Sequence, residues 1–253
     1  MTKERSSFSG KVGFVLAAAG SAVGLGNLWR FPYLAAKYGG GIFLLVYLIL
    51  AVTFGFALMV TEIAIGRKTG LSAIGAYRKL NKKYAFIGWI SALVPIIIFP
   101  YYSVIGGWVV KYLFEFVRGQ GSAAAGNDYF NQFIAEPVQP VLWLAIFIGL
   151  TALIVLLGVE KGVEKASKIM MPTLVILTLG ITIYTIVQPG AWEGVLYYIT
   201  PDFSKFTVNT VLGAMGQMFY SMSLAMGIMI TYGSYMKKDV NLETSVKQIE
   251  LFD

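Results

Sequence analysis

Gly20-Ser21-Ala22-Val23-Gly24-Leu25-Gly26-Asn27-Leu28-Trp29-Arg30-Phe31-Pro32 sets three glycines, an asparagine and an arginine inside a segment otherwise apolar enough to cross a membrane. Each glycine costs about 1 kcal/mol of helix propensity relative to alanine. An unpaired backbone group in hydrocarbon costs several kcal/mol unless protein, water or an ion satisfies it. A helix interrupted at 20–27 therefore leaves carbonyls and amides for something to meet, which makes the stretch a candidate ion and substrate site.

The flanking sequence supplies the membrane. Of 253 residues, 57% are hydrophobic and 13% charged, with a mean hydropathy of +0.70, whereas soluble domains carry about 25% charged residues. Apolar runs of about 20 residues, the length that spans a bilayer, fall at 12–36, 41–65, 84–117, 140–158, 169–187 and 208–235. The expected fold class is an all-α integral membrane protein with six transmembrane helices. The third exceeds the bilayer thickness and is expected to tilt.

Fifteen of the 20 basic residues fall on one side if the N-terminus starts in the cytoplasm: Lys3, Arg5, Lys11; Arg67, Lys68, Arg78, Lys79, Lys82, Lys83; Lys161, Lys165, Lys168; Lys237, Lys238, Lys247. The positive-inside rule then puts both ends of the chain in the cytoplasm, in a cell's inner (plasma) membrane. The net charge of +7 follows from topology and contact with the lipid bilayer, with no nucleic acid required. The chain has no cysteine and no histidine, which excludes disulfides, thiolate metal sites and imidazole proton relays. Ala17-Ala18-Ala19 imitates a signal-peptide cleavage site, but the apolar pattern runs past it and Glu4 interrupts the basic start, so the segment is read as retained.

Between the spans, 67–83 has a short helical pattern (Ala73, Ile74, Tyr77, Leu80), 119–140 reads as an external loop, and 191–206 as a half-buried interfacial helix. Residues 240–253 form an amphipathic cytoplasmic segment that stops without a cap or tail, so the chain reads as truncated. It is taken as one incomplete membrane domain, 1–253.

The sixth span repeats the anomaly of the first. Gln217-Met218-Phe219-Tyr220-Ser221-Met222-Ser223-Leu224-Ala225-Met226-Gly227 interrupts an apolar run with hydroxyls and small residues. Close helix packing is one explanation, since Gly20 and Gly24 form a GxxxG pair. The other is a binding site, because paired discontinuous helices in corresponding positions mark secondary transporters.

GSAVGLGNLWRFPY, Gly39-Gly40-Gly41, Tyr101-Tyr102 and GQMFYSMSLAMGIMITYGSY agree in order and spacing with the neurotransmitter:sodium symporter family. The chain resembles the N-terminal half of that family's leucine-transporter-like fold. Residues 1–189 would form the first five-helix inverted repeat, and 190–253 would open the second. The resemblance implies a sodium-coupled symporter, not an enzyme, importing a small-molecule α-amino acid by alternating access.

It implies one sodium site at Ala22, Asn27 and Ser221 and a second at Gly20 and Val23, each completed by helices beyond this chain. Leu25 and Gly26 amides and Tyr102 would meet the substrate carboxylate. Ile98, Phe219, Tyr220, Ser223 and Met226 would surround its side chain. Relatives that carry monoamines place an aspartate at the position of Gly24, so glycine points to a ligand bringing its own carboxylate. Met226 and its apolar surroundings favour a hydrophobic or aromatic amino acid.

Arg30 resembles an outer gate under a Tyr102–Tyr220 lid, and Arg5 an inner gate near Tyr235. Tyr47, Gln217 and Ser221 match chloride-binding positions in chloride-dependent relatives, although some bacterial relatives use a carboxylate of the seventh helix instead. Glu62 is expected to brace the first helix. No GxxxxGK[ST] phosphate loop and no nucleophile–base pair suggest hydrolysis. A non-transporting truncated protein, a regulatory partner paired with a full-length homologue, and a homo-oligomer stay open.

Overall fold

The computed structural model describes residues 7–253. The first span is broken, as expected: α1 (Lys11–Ala22) ends at Val23, and the chain resumes through a π-turn at Gly26–Arg30 into α2 (Phe31–Lys37), bent by 44°. Only Val23 and Gly24 leave the helix between them, a tighter break than the expected 20–27. The second span joins α3 (Gly41–Leu50) to α4 (Phe56–Thr69) through a π-turn at Ala51–Gly55. A short α5 (Ala73–Leu80) leads to α6 (Ala85–Val117), a 33-residue third span that keeps its course through Pro95 and Pro100.

The loop after α6 holds α7 (Gly121–Ala124) and α8 (Tyr129–Ala135), followed by α9 (Gln139–Leu156) and, after a π-turn at Val159–Glu164, α10 (Lys165–Ile186). Then come α11 (Ala191–Ile199), α12 (Val208–Ser221), α13 (Ile228–Gly233) and α14 (Leu242–Phe252). Among the described residues, four helical segments are long and apolar enough to cross a membrane, and the bent first pair makes a fifth. The sixth span is discontinuous, as expected, and neither of its pieces is long enough to cross by itself. It is a 14-residue and a 6-residue piece separated at 222–227, where Ser223, Ala225 and Gly227 take positive φ and leave helical geometry.

The centre is built from the broken helices and their neighbours: Phe14, Phe43, Met59, Ile63, Met218, Met222, Met229 and Ile249 are almost completely buried. By contrast, α9 buries none of its residues, as expected of a periphery that faces lipid. Lipid tails are as apolar as leucine, so close packing rather than hydrophobic transfer must hold the spans together. Glycines provide it. A Cβ at Gly66 on α4 would run into the Ile230 carbonyl of α13, one at Gly233 into Ile63, and one at Gly107 on α6 would come within 2.8 Å of Leu144 on α9.

Cations gather at one end. Arg67 donates to the Lys238 carbonyl, Lys237 Nζ donates to the Ser9 carbonyl at 2.9 Å, and Lys168 pairs with Glu164 at 2.6 Å while Glu164 accepts the Ser9 N–H. At the other end Gly40 pairs with Pro201, and the Tyr197 hydroxyl donates to the Ala36 carbonyl. Gly40 has φ +63°, and a Cβ there would collide with the Tyr197 carbonyl, so this turn requires glycine.

Candidate functional site at the helix breaks

Where α1 stops, the carbonyls of its last turn are no longer all used by the helix. The Gly24 N–H turns to the Asn27 side-chain oxygen at 3.3 Å, and the Gly24 carbonyl accepts from Asn27 and Leu28. Opposite, α12 ends at Ser221, and Ser223 and Ala225 adopt positive φ of 54° and 59°. Such backbone costs about 1–2 kcal/mol for a residue with a side chain, so the second break is held by surrounding contacts. One is the Ser223 hydroxyl, which donates to the Ser21 carbonyl at 3.0 Å and ties the two breaks together. Another is Glu62, whose Oε1 accepts the Ala225 N–H at 2.6 Å. Glu62 thus braces the sixth span and not, as expected from sequence, the first: the loose amides beside it belong to the second break.

Four side chains meet at the centre. Asn27 Nδ2 lies 3.5 Å from Ser221 Oγ, and the Tyr47 hydroxyl lies 3.0 Å from the same oxygen. The fourth is Asp253, which the sequence reading passed over. Its carboxylate accepts from Tyr47 at 2.5 Å, from Ser221 at 2.5 Å and from Asn27 at 2.9 Å. Asn241 caps α14 by accepting the Thr244 N–H, and Val246 and Ile249 are fully buried, so the amphipathic tail enters the bundle and delivers Asp253. A legible signal existed: Leu242, Val246, Ile249 and Asp253 share one helical face, which puts an acid at the end of an otherwise apolar stripe.

The expected lid residues also converge. Tyr102 and Tyr220 have ring centroids 6.0 Å apart, and the Arg30 guanidinium stands 4.8 Å from the Tyr220 ring. A Cβ at Gly24 would be 4.0 Å from the Tyr102 hydroxyl, and one at Gly26 3.2 Å from Tyr220. Gly20 and Gly24 make no tight helix contact, unlike Gly66 or Gly107, so the GxxxG pair is not a packing seam here.

Other expected residues sit elsewhere. Gly20 and Val23 open onto a separate cavity of about 540 Å³ between α1 and α10. Gln217 donates to the Gly26 carbonyl at 2.8 Å, and its buried side-chain oxygen has no hydrogen-bond partner among the described residues. Met226 lines a cavity of about 280 Å³ with Ser72 and Pro95, and Phe219 packs on the core. Ala22 is buried, and Ile98 is half-buried one turn before Tyr102. The Tyr235 carbonyl accepts the Phe8 N–H, whereas Arg5 lies outside the described residues.

The carboxylate and the two hydroxyl oxygens are the kind of ligand a hard cation takes, while Asn27 turns its amide N–H groups to this cluster and its oxygen to the Gly24 N–H. Among the described residues no lysine or arginine pairs with Asp253: Lys247, which lines the same cavity, pairs with Glu243 at 2.6 Å.

Known proteins resemble the chain over nearly its whole length. The model of the sodium:neurotransmitter symporter family matches residues 5–133 and 129–250. The uncharacterized sodium-dependent transporter YhdH of Bacillus subtilis (strain 168) is 38% identical over 251 residues, 97% of this chain and 56% of the relative. An uncharacterized sodium-dependent transporter of Methanocaldococcus jannaschii is 39% identical over 263 residues, 99% of this chain and 53% of the relative. The crystal structure of MhsT in complex with L-phenylalanine superposes with a TM-score of 0.90 at 39% identity, over 97% of this chain and 57% of that one. The chain thus spans about half the length of the curated relatives it matches.

Proposed function

From the premise that the chain belongs to the sodium:neurotransmitter symporter family, a multi-pass membrane family whose members are transporters and not enzymes, we propose that it is the N-terminal part of a sodium-coupled α-amino acid symporter. The observation that carries the reading is the meeting of Asn27, Tyr47, Ser221 and Asp253 between two broken helices. One sodium ion, itself cargo, would be held by Asp253, Ser221, Asn27 and the Ala22 carbonyl, and a second by the Gly20 and Val23 carbonyls.

The amino acid's carboxylate would lie at the Leu25 and Gly26 amides beside the Tyr102 hydroxyl, in the space Gly24 leaves open. The phenylalanine bound by MhsT supports a hydrophobic or aromatic side chain. Arg30 over Tyr220, with Tyr102, would close the outer side. Tyr47 and Ser221 both spend their protons on the Asp253 carboxylate, which supports a transporter with no need of chloride. Moving one sodium ion down about 100 mV releases about 2.3 kcal/mol, and a tenfold gradient adds about 1.4. Together they sustain accumulation on the order of 500-fold per coupled ion, without nucleotide.

The cation-rich end is assigned to the cytoplasm by the positive-inside rule. A single cysteine introduced as Ser72→Cys, in a chain with no other, should react with an impermeant maleimide only from that side. Uptake of labelled phenylalanine into proteoliposomes by the whole transporter should require sodium and should persist when gluconate replaces chloride. Sodium-independent uptake would overturn the proposal.

A further inference from the structure

Residues 67–83 contain six cations, Arg67, Lys68, Arg78, Lys79, Lys82 and Lys83, and no acid. Among the described residues Lys111, Lys168, Lys205 and Lys247 each meet a carboxylate, but none of these six does. Arg67 and Lys79 donate to the Lys238 and Thr69 carbonyls. Lys68, Arg78, Lys82 and Lys83 are exposed with their charge uncompensated. The segment is firmly seated: Ala73 and Ala76 are buried, and Gly88 lets the start of α6 approach so closely that a Cβ there would lie 2.8 Å from the Ala73 carbonyl.

Directly after Lys82 and Lys83, α6 presents Phe86, Trp89, Ile90 and Leu93, all more than half exposed. Their spacing of three, four and seven residues puts them on one helix face. A cation cluster at the head of an apolar stripe matches an amphiphile with an anionic head. A free anion would leave the stripe unused, and so would an acidic peptide.

We propose that an anionic phospholipid binds at this corner, its phosphate on Arg78, Lys82 and Lys83 and its acyl chains along Phe86, Trp89, Ile90 and Leu93. The proposal rests on the reading above that this end faces the cytoplasmic leaflet, where anionic lipid attracts basic segments. The seat is on the α5–α6 junction, and the other end of α5, at Ser72 and Ala73, lines the Met226 cavity.

The full chain is reconstituted in phosphatidylcholine vesicles carrying either brominated phosphatidylglycerol or brominated phosphatidylcholine, without sodium or amino acid. The Trp89 signal is taken as the difference from a Trp89→Phe variant. Phosphatidylglycerol should be preferred about fivefold or more at low salt, and the preference should fall to about onefold in an Arg78→Gln/Lys82→Gln/Lys83→Gln variant. Quenching by brominated phosphatidylcholine must persist in that variant, which reports that it is inserted. Removing Lys37, Arg118 and Lys205, at the other end, should leave the preference intact. A preference unchanged in the triple variant, equal quenching by both lipids, or loss of the preference on adding inorganic phosphate at matched ionic strength would overturn the proposal. Such failures leave the transport reading standing. Reaction of Ser72→Cys from the outside would instead overturn the orientation.

Discussion

Asp253 is the residue on which the proposed cation site depends. Its two oxygens take three charge-assisted hydrogen bonds at 2.5–2.9 Å, and bonds of this kind contribute about 1.5–3 kcal/mol each. Asp253→Asn in the whole transporter keeps the shape and removes the charge. A loss of about 2 kcal/mol, or roughly 30-fold in apparent sodium affinity, is expected, read by titrating sodium against bound labelled phenylalanine. Gly24 makes the opposite argument from empty space. Gly24→Asp would bring a carboxylate toward the Tyr102 hydroxyl, 4.0 Å from the position of its Cβ. Two like charges cannot share that space without strong repulsion, so amino acid binding should be abolished while thermal stability changes little.

Among elements, the second break is a structure under tension that its neighbours hold. Ala225 sits at φ 59° with its N–H on Glu62. Ala225→Gly should relieve about 1 kcal/mol, raising the melting temperature in detergent. Glu62→Ala should lower it by removing a charged acceptor, a cost of about 1.5–3 kcal/mol. Equal stability in both variants would show that the break needs no brace. The α4–α13 contact is the rigid counterpart. Gly66→Ala would drive a methyl into the Ile230 carbonyl, and overpacking of this kind costs about 1–3 kcal/mol, which a thermal melt in detergent would register as a fall in melting temperature.

For the molecule as a whole, two half-helices facing each other make the stability of the fold depend on what lies between them. A ligand that binds only the folded state stabilises it by about 2.7 kcal/mol at 100 times its dissociation constant. Sodium should therefore raise the melting temperature of the whole transporter, potassium should not, and the shift should vanish in Asp253→Asn. The location of the first break was legible in sequence because glycines and Asn27 contradict the hydropathy around them. The grouping of Tyr102, Tyr220 and Arg30 was legible only through the resemblance, and the structure brings the three side chains together. The partners of Glu62 and Gln217 were not legible, since each bonds a backbone group more than 160 residues away, and any backbone group looks the same in a sequence. Asp253 was hidden for a related reason: the apolar face it extends was visible, but not the surface that face would cover. By itself the sequence determined local matters, namely which segments are apolar enough to enter a membrane, where a helix cannot continue, and which end gathers the cations. Only the tertiary structure decided which loose backbone groups and which carboxylate meet, because hydrogen bonds act over about 3 Å, and that proximity is created by packing helices distant in the chain.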